Sequence, residues 1–180
     1  MGADNARVQF RGMSLRIGYC PFRLLFKHPF ETSHGARDGT DSIFIRLEED
    51  GVVGYGEVTL PPYLKEKPPA VVARLKRIGM LELNNTDTLA AVLDDPGLFG
   101  QTGQGCRAGL QMALIDMIGS RIYLAANQLL KIKNRNIPIS LMTIGISPLA
   151  DLQSKLEELP SSGALKLKVG HEGSLAMVRR

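Results

Sequence analysis

Between Ser42 and Val58 the chain alternates around an Asp50-Gly51 pair, with Ile43, Ile45 and Leu47 running in and Val52 to Val58 running out. A period of two about a two-residue Asp-Gly turn specifies an antiparallel hairpin with one apolar face, and that face needs a cover. Ser14 to Phe26 supplies a third strand through Leu15, Ile17, Tyr19, Phe22, Leu24 and Phe26. His28-Pro29 is expected to end it, because proline cannot donate to a ladder. Pro61-Pro62 closes a meander of about three strands. Phe30 to Asp41, rich in Gly, Ser, Arg and Asp, reads as a surface loop suited to binding.

Helical spacing takes over after the meander. Pro68-Pro69 opens a helix with an apolar face of Val71, Val72, Leu75 and Ile78, and Gly79 ends it. Thr86 is placed to cap a short helix through Leu93, stopped by Pro96-Gly97. The longest periodic stretch follows, with Cys106, Leu110, Ala113, Leu114, Met117 and Ile118 on one stripe, and another turn or two spans Tyr123 to Leu130. At Asn136-Ile137-Pro138 the pattern changes again. Ile139 to Ile146 reads as a short strand, Ser147 as the cap of a helix from Pro148 to Leu159, and Ala164 to Val169 as a second strand. Strand, helix and strand at this spacing make one βαβ unit with parallel strands. The expected organisation is an α+β domain over residues 1–138 and the beginning of an α/β domain over 139–180.

Composition bounds what such a chain does. At 180 residues, 44% hydrophobic and 22% charged, it has the material for a packed core. The net charge of +4 comes from 22 basic residues interleaved with 18 acidic ones, a solvated surface rather than a nucleic-acid stripe. The basic run Lys131 to Arg135 follows a helical segment, where cations meet the negative end of its dipole. Cys20 and Cys106 are too few and too separated for a disulfide framework or a zinc site, so a reducing cytoplasm is expected. No apolar run approaches the roughly 20 residues that cross a bilayer, and Met1 to Ala6 carries no signal-peptide pattern. Neither nucleic acid nor membrane is expected as a partner.

Two glycine runs invite a nucleotide reading and fail it. Gly51-Val-Val-Gly54-Tyr-Gly56 lies inside a hairpin, with no helix after it to receive a pyrophosphate. Gly100 to Gly105 has P-loop outer spacing, but Cys106-Arg107 stands where Lys and Ser/Thr are needed. His28, His34 and His171 never recur at metal-ligand spacing and read as lone loop or surface residues. Asp116 in mid-helix and Glu57 at the hairpin's end read as helix-to-sheet hydrogen-bond partners. Lys166-Leu167-Lys168 is different, because residues two apart on a strand share a face. Leu165, Leu167 and Val169 would then turn to the helix layer and both ammonium groups to the other side. Two partly desolvated cations disfavour each other's protonated form, as a general base requires. The same spacing also fits an exposed strand, and the surroundings must decide.

Those surroundings are specific. Pro29-Phe30-Glu31-Thr32-Ser33, Ile43-Phe44-Ile45-Arg46, Gly54-Tyr55-Gly56-Glu57, Pro61-Pro62-Tyr63, Ala113-Leu114-Ile115-Asp116, Thr143-Ile144-Gly145-Ile146 and Leu165 to Gly170 follow in order. Together they resemble the muconate-lactonizing/mandelate racemase group of the enolase superfamily, above all its dipeptide epimerases such as L-Ala-D/L-Glu epimerase. The resemblance runs from about residue 14. It implies an α+β capping domain over the start of a TIM-like (β/α) barrel, with the Phe30 to Asp41 segment as the specificity loop. It assigns Lys168 as the base that moves the α-proton, Lys166 as its neighbour and a substrate contact, and Thr143 and Arg37 as substrate-binding residues.

The reaction implied is proton transfer next to a carboxylate, through an enediolate stabilised by Mg²⁺, on a dipeptide or related carboxylate. The intact enzyme is implied to be a homo-oligomer. The metal ligands and a second lysine belong to later strands that have no counterpart up to Arg180, and such a barrel takes about 250 residues. The expectation is therefore a truncated enzyme, inactive alone, with no metal ligands of its own. Cycloisomerases and o-succinylbenzoate synthases share the same cap and lysine pair, and a non-catalytic cap-like binding module is the third reading.

Overall fold

A computed structural model describes residues 12–32, 35–83, 89–99, 102–133, 138–159 and 164–170. The hairpin forms as its alternation dictates. Strands β2 (Gly35–Glu49) and β3 (Val52–Leu60) pair antiparallel from Asp41↔Leu60 to Glu49↔Val52. Asp50 and Gly51 both take positive φ, 50° and 76°, as a two-residue turn matched to the strand twist requires. Ile43, Ile45, Leu47 and Val58 are fully or almost fully buried on one face.

Strand β1 (Met13–Thr32) lies beside β2. It runs past Pro29, contrary to the expected stop. The fourth strand, β4 (Met80–Leu83), pairs only with Met13 to Arg16, leaving the rest of β1 on a sheet edge where proline removes no ladder bond. The expected surface loop Phe30 to Asp41 is likewise corrected. Apart from Ser33 and His34, outside the described residues, it consists of the ends of β1 and β2. A two-stranded arm is held by backbone pairing, so small polar side chains do not forbid it. The sequence reading missed β4, since four residues after a helix-ending glycine carry little pattern; Leu81 and Leu83 nonetheless bury.

The helices cover the apolar face. Helix α1 (Pro68–Ile78) opens on proline, buries Val71 and Leu75, and ends at Gly79, whose N–H donates to the Leu75 carbonyl at φ 66°. Two short helices follow, α2 (Leu89–Asp94) and α3 (Pro96–Phe99); the expected cap Thr86 lies outside the described residues. Helix α4 (Gln104–Ile122) buries all six residues of the expected stripe, and α5 (Ala126–Leu129) is the further turn after it.

The hairpin glycines let α4 lie directly on β3. A Cβ at Gly54 would fall 2.2 Å from the Ala113 carbonyl oxygen, and one at Gly56 would fall 2.0 Å from that of Gly109. Gly-x-Gly here is a helix-packing surface, in keeping with its failure as a nucleotide motif. Asp116 Oδ2 accepts from the Tyr55 N–H at 2.8 Å, the expected helix-to-sheet bond. Glu57 instead accepts within its own sheet, from the hydroxyls of Ser42 at 2.6 Å and Thr59 at 3.2 Å. The amino end of α4 follows Gly103, a turn glycine at φ 81°. A carboxylate from elsewhere supplies the cap, with Glu66 Oε2 accepting from the Gly105 N–H at 2.9 Å and Oε1 from Arg74 at 2.7 Å.

Cys106 lies fully buried in this core and Cys20 is exposed. Burial first, then the Glu66 carboxylate, push the Cys106 thiol up to about 11. A thiol reagent at pH 8 is therefore expected to modify one cysteine of the native protein, Cys20, and to reach the second only after denaturant is added. Mass spectrometry with and without urea checks this; two modified cysteines in the native protein would contradict the core described.

Strands β5 (Met142–Ile144) and β6 (Leu165–Leu167) are parallel, with α6 (Leu149–Glu157) between them in sequence. All three are shorter than expected. Ser147 is not the cap of α6, whose amino end follows Pro148 without a side-chain bond. Its hydroxyl donates to the Gly145 carbonyl at 3.0 Å and accepts from Lys155. The described residues form two compact units. One contains those up to Arg23 with Asp41–Ile132; the other contains Leu24–Thr40 with those from Lys133 on.

Candidate functional site

The second unit holds every residue the sequence nominated for chemistry. In the β5–β6 ladder Thr143 pairs with Lys166 and Ile144 with Leu167, and the Lys168 N–H donates to the Ile144 carbonyl at 2.9 Å. Ile144 and Leu167 pack with Leu152, Leu156 and Leu159 of the α6 segment. Alternation therefore puts Thr143, Lys166 and Lys168 on the opposite face. Lys166 is exposed and Lys168 half-buried. Of the three residues expected to face the helix, Leu167 does so, while Leu165 and Val169 remain 45% and 51% exposed.

Thr143 also lines a cavity of about 470 Å³ in the same unit, within the range of small-ligand sites. Its other walls include Phe26, Phe30 and Arg37 from the arm and Lys155 and Glu158 from the α6 segment. The cavity thus joins Arg37 to Thr143, and the ladder joins Thr143 to Lys166. Neither Lys166 nor Lys168 lines the cavity itself.

The arm is fixed to the β5–α6 segment at two points. The Ile146 N–H donates to the Glu31 carbonyl at 3.0 Å, next to Gly145, where a Cβ would stand 3.0 Å from the Glu31 nitrogen. Farther along, Glu158 meets His28 Nε2 at 2.6 Å and Lys27 Nζ at 2.7 Å. Arg37 rests its guanidinium against two rings, 5.2 Å from the Phe26 centroid and 5.8 Å from that of Phe30. Those rings stand edge to face, 6.5 Å apart.

His28 and then Lys27, as hydrogen-bond donors, hold the Glu158 carboxyl down at about 2. A depressed carboxyl contributes stability above its unfolded value of about 4.5, which is lost as pH falls toward 2. Glu158→Gln is therefore expected to remove part of the stability lost between pH 5 and pH 2.5, bringing its urea midpoints at the two values closer than the parent's. An unchanged gap would contradict the contact.

The sequence reading took His28 as a lone residue, gave Phe26 a place only in a strand, and did not single out Lys27, Lys155 or Glu158. One signal was available: Lys155 and Glu158 stand three apart at the carboxyl end of a helix, and so share a side.

No family model matches the chain. It is 24% identical over 168 residues to an L-Ala-D/L-Glu epimerase from Bacteroides thetaiotaomicron, covering 93% of this chain and 44% of that protein. Among solved structures it superposes on a dipeptide epimerase from Methylococcus capsulatus, complexed with Mg and the dipeptide L-Arg-D-Lys. That match has a TM-score of 0.73 at 23% identity and covers 93% of this chain and 49% of the other. It also superposes on a muconate lactonizing enzyme from Pseudomonas fluorescens complexed with muconolactone, with a TM-score of 0.71 at 23% identity, covering 88% and 45%.

These likenesses show the fold, with the antiparallel sheet and its helices shared with both structures. The chain resembles dipeptide epimerases and muconate lactonizing enzymes, as its motifs indicate, and spans about half the length of the curated relatives it matches. Among the described residues no three His, Cys, Asp or Glu side chains gather to hold a metal ion. The magnesium of the structural neighbours therefore has no fitting ligand set in them. Nor is any helix of the described residues long and apolar enough to cross a membrane.

Proposed function

We propose that these residues form the cap and first βαβ unit, divided near residue 138, of a dipeptide epimerase that moves the proton α to a carboxylate. The supporting observation is the ladder register. Thr143 opposite Lys166, with Lys168 two residues on, gives one sheet face two amines and a hydroxyl beside a cavity. On this reading Lys168 is the base on one face of the α-carbon. Lys166 attracts the adjacent carboxylate, Thr143 orients it by hydrogen bonding, and Arg37 meets a carboxylate of the substrate. The reading implies a cytoplasmic, homo-oligomeric enzyme of the relatives' length. Because the chain spans about half the length of these relatives, the 180 residues alone are expected to leave dipeptides unchanged.

A muconate lactonizing activity is the second reading, favoured by the near-equal superposition on such an enzyme. A chimera separates the two. These 180 residues would replace the matching portion of the Bacteroides thetaiotaomicron L-Ala-D/L-Glu epimerase, and the product would be assayed against L-Ala-dipeptides and muconolactone. Dipeptide turnover with no action on muconolactone is expected; the reverse would reject the epimerase.

A further inference from the structure

Glu158, the residue at which helix α6 ends, is an acid where the helix dipole favours a cation. Its N–H still donates back to the Ser154 carbonyl at 3.2 Å, so the carboxylate sits against that negative end. The compensating charge comes from the arm, about 130 residues earlier. One oxygen, Oε2, meets both His28 Nε2 at 2.6 Å and Lys27 Nζ at 2.7 Å. The other charged residues of the cavity are engaged elsewhere, Lys155 with the Ser147 hydroxyl and Arg37 with the Phe26 and Phe30 rings. The arm's second attachment, from the Ile146 N–H to the Glu31 carbonyl, is backbone and has no charge to lose. Between the two attachments lie Pro29, which has no N–H to donate, and Phe30, which with Phe26 and Arg37 makes the arm's wall of the cavity. The seating of that wall therefore depends on side-chain charge at one end only.

We propose that His28, Lys27 and Glu158 form a pH-sensitive clasp, which seats the arm on the α6 segment firmly while the His28 ring carries its proton and loosely when it does not. An imidazole is the side chain that changes charge between pH 5 and 8. The Glu158 carboxyl, held down at about 2 by His28 and then Lys27, is ionised across that range. A neutral ring still donates through Nε2, but as an ordinary hydrogen bond in place of a charge-assisted one. Lys27 supplies a partner that does not depend on the ring, so the arm slackens and is not released. The three side chains are partly exposed, Lys27 at 73%, His28 at 42% and Glu158 at 37%, and water screens such pairs. The change is therefore modest, about twofold to fivefold in the population with the arm unseated. The clasp is tightest in mild acid, loosens as the pH rises past neutrality, and fails again near pH 2 as Glu158 takes up its proton. It acts on the cavity wall whatever ligand the cavity takes, and so stands apart from the proton-transfer reading.

Amide hydrogen exchange of the full 180-residue chain at about pH 5.5 and about pH 8 tests the proposal, with rates corrected for the intrinsic effect of pH. The amides of residues 43–47, in the β2–β3 hairpin, serve as the reference within each sample. Protection of the arm amides, residues 24–32 and 35–40, is expected to fall about twofold to fivefold relative to the hairpin at the higher pH. His28→Gln, which keeps a donor but has no proton to exchange in this range, should remove that step, as should Glu158→Gln. Lys27→Met should lower arm protection at both pH values and keep the step. Equal relative protection at the two pH values in the parent would overturn the proposal, and this measurement needs no variant to fold. A step that survives His28→Gln belongs to another titrating group and would overturn it equally.

Discussion

Gly56→Ala is expected to cost the first unit about 3 kcal/mol or more, at the upper end for overpacking a tight interface. The new methyl would stand 2.0 Å from the Gly109 carbonyl oxygen and 2.8 Å from the Ala113 nitrogen, both on α4 backbone that cannot rotate aside. Gly54→Ala meets α4 in the same way, 2.2 Å from the Ala113 oxygen and 2.3 Å from the Met117 nitrogen. For a protein of this size the melting temperature should fall by on the order of 10 °C. Gly51→Ala is the control. Nothing lies within 4 Å of its added carbon, and its cost is the left-handed backbone at φ 76°, about 1–2 kcal/mol. Urea denaturation of the three variants separates close approach from conformational strain. A Gly56→Ala midpoint equal to the parent's would mean that α4 does not lie on β3 as described.

Lys168→Ala in the chimera is expected to lower dipeptide epimerisation by about a thousandfold or more, the loss that follows removal of a positioned general base. Binding should change little. Lys168→Arg should not restore the rate, since a guanidinium holds its proton throughout the accessible pH range. Thr143→Ala, which removes an orienting hydroxyl and no proton carrier, should cost about tenfold, mostly in KM. Lys166→Ala should fall between them, because it weakens attraction for the carboxylate that activates the α-proton. Initial rates over a range of dipeptide concentrations check all four. A Lys168→Ala loss smaller than that of Thr143→Ala would remove Lys168 from the role of base.

The parts of the fold visible in sequence are those where local pattern and tertiary demand agree. Ile43, Ile45 and Leu47 alternate because one face is buried, Asp50-Gly51 turns because both residues take positive φ, and the Cys106 to Ile118 stripe recurs at helical spacing because it covers that face. What sequence missed depended on partners distant in the chain. Pro29 continues a strand only because β4 stops at Arg16 and leaves an edge. Ser147 gives up the capping role its position suggests because the Lys155 ammonium and the Gly145 carbonyl engage its hydroxyl.

The candidate site divides in the same way. Lys166, Lys168 and Thr143 were nominated by motif, and their shared face follows from strand alternation once the register is known. Arg37 was nominated from the arm, but its seat on Phe26 and Phe30 was not visible, since cation–π contacts leave no spacing in the sequence. Glu158 and Lys155 escaped notice because an acid and a lysine near a helix end read as ordinary surface. Only the fold brings Lys27 and His28, some 130 residues away, to Glu158.

Proton exchange tests the epimerase reading most directly. In D₂O the chimera should wash deuterium into the α-position of an L-Ala-dipeptide as it epimerises, with the α-proton signal decaying by NMR, and Lys168→Ala should slow that decay about a thousandfold. A Lys168→Ala chimera that exchanges the α-proton as fast as its parent would contradict the account.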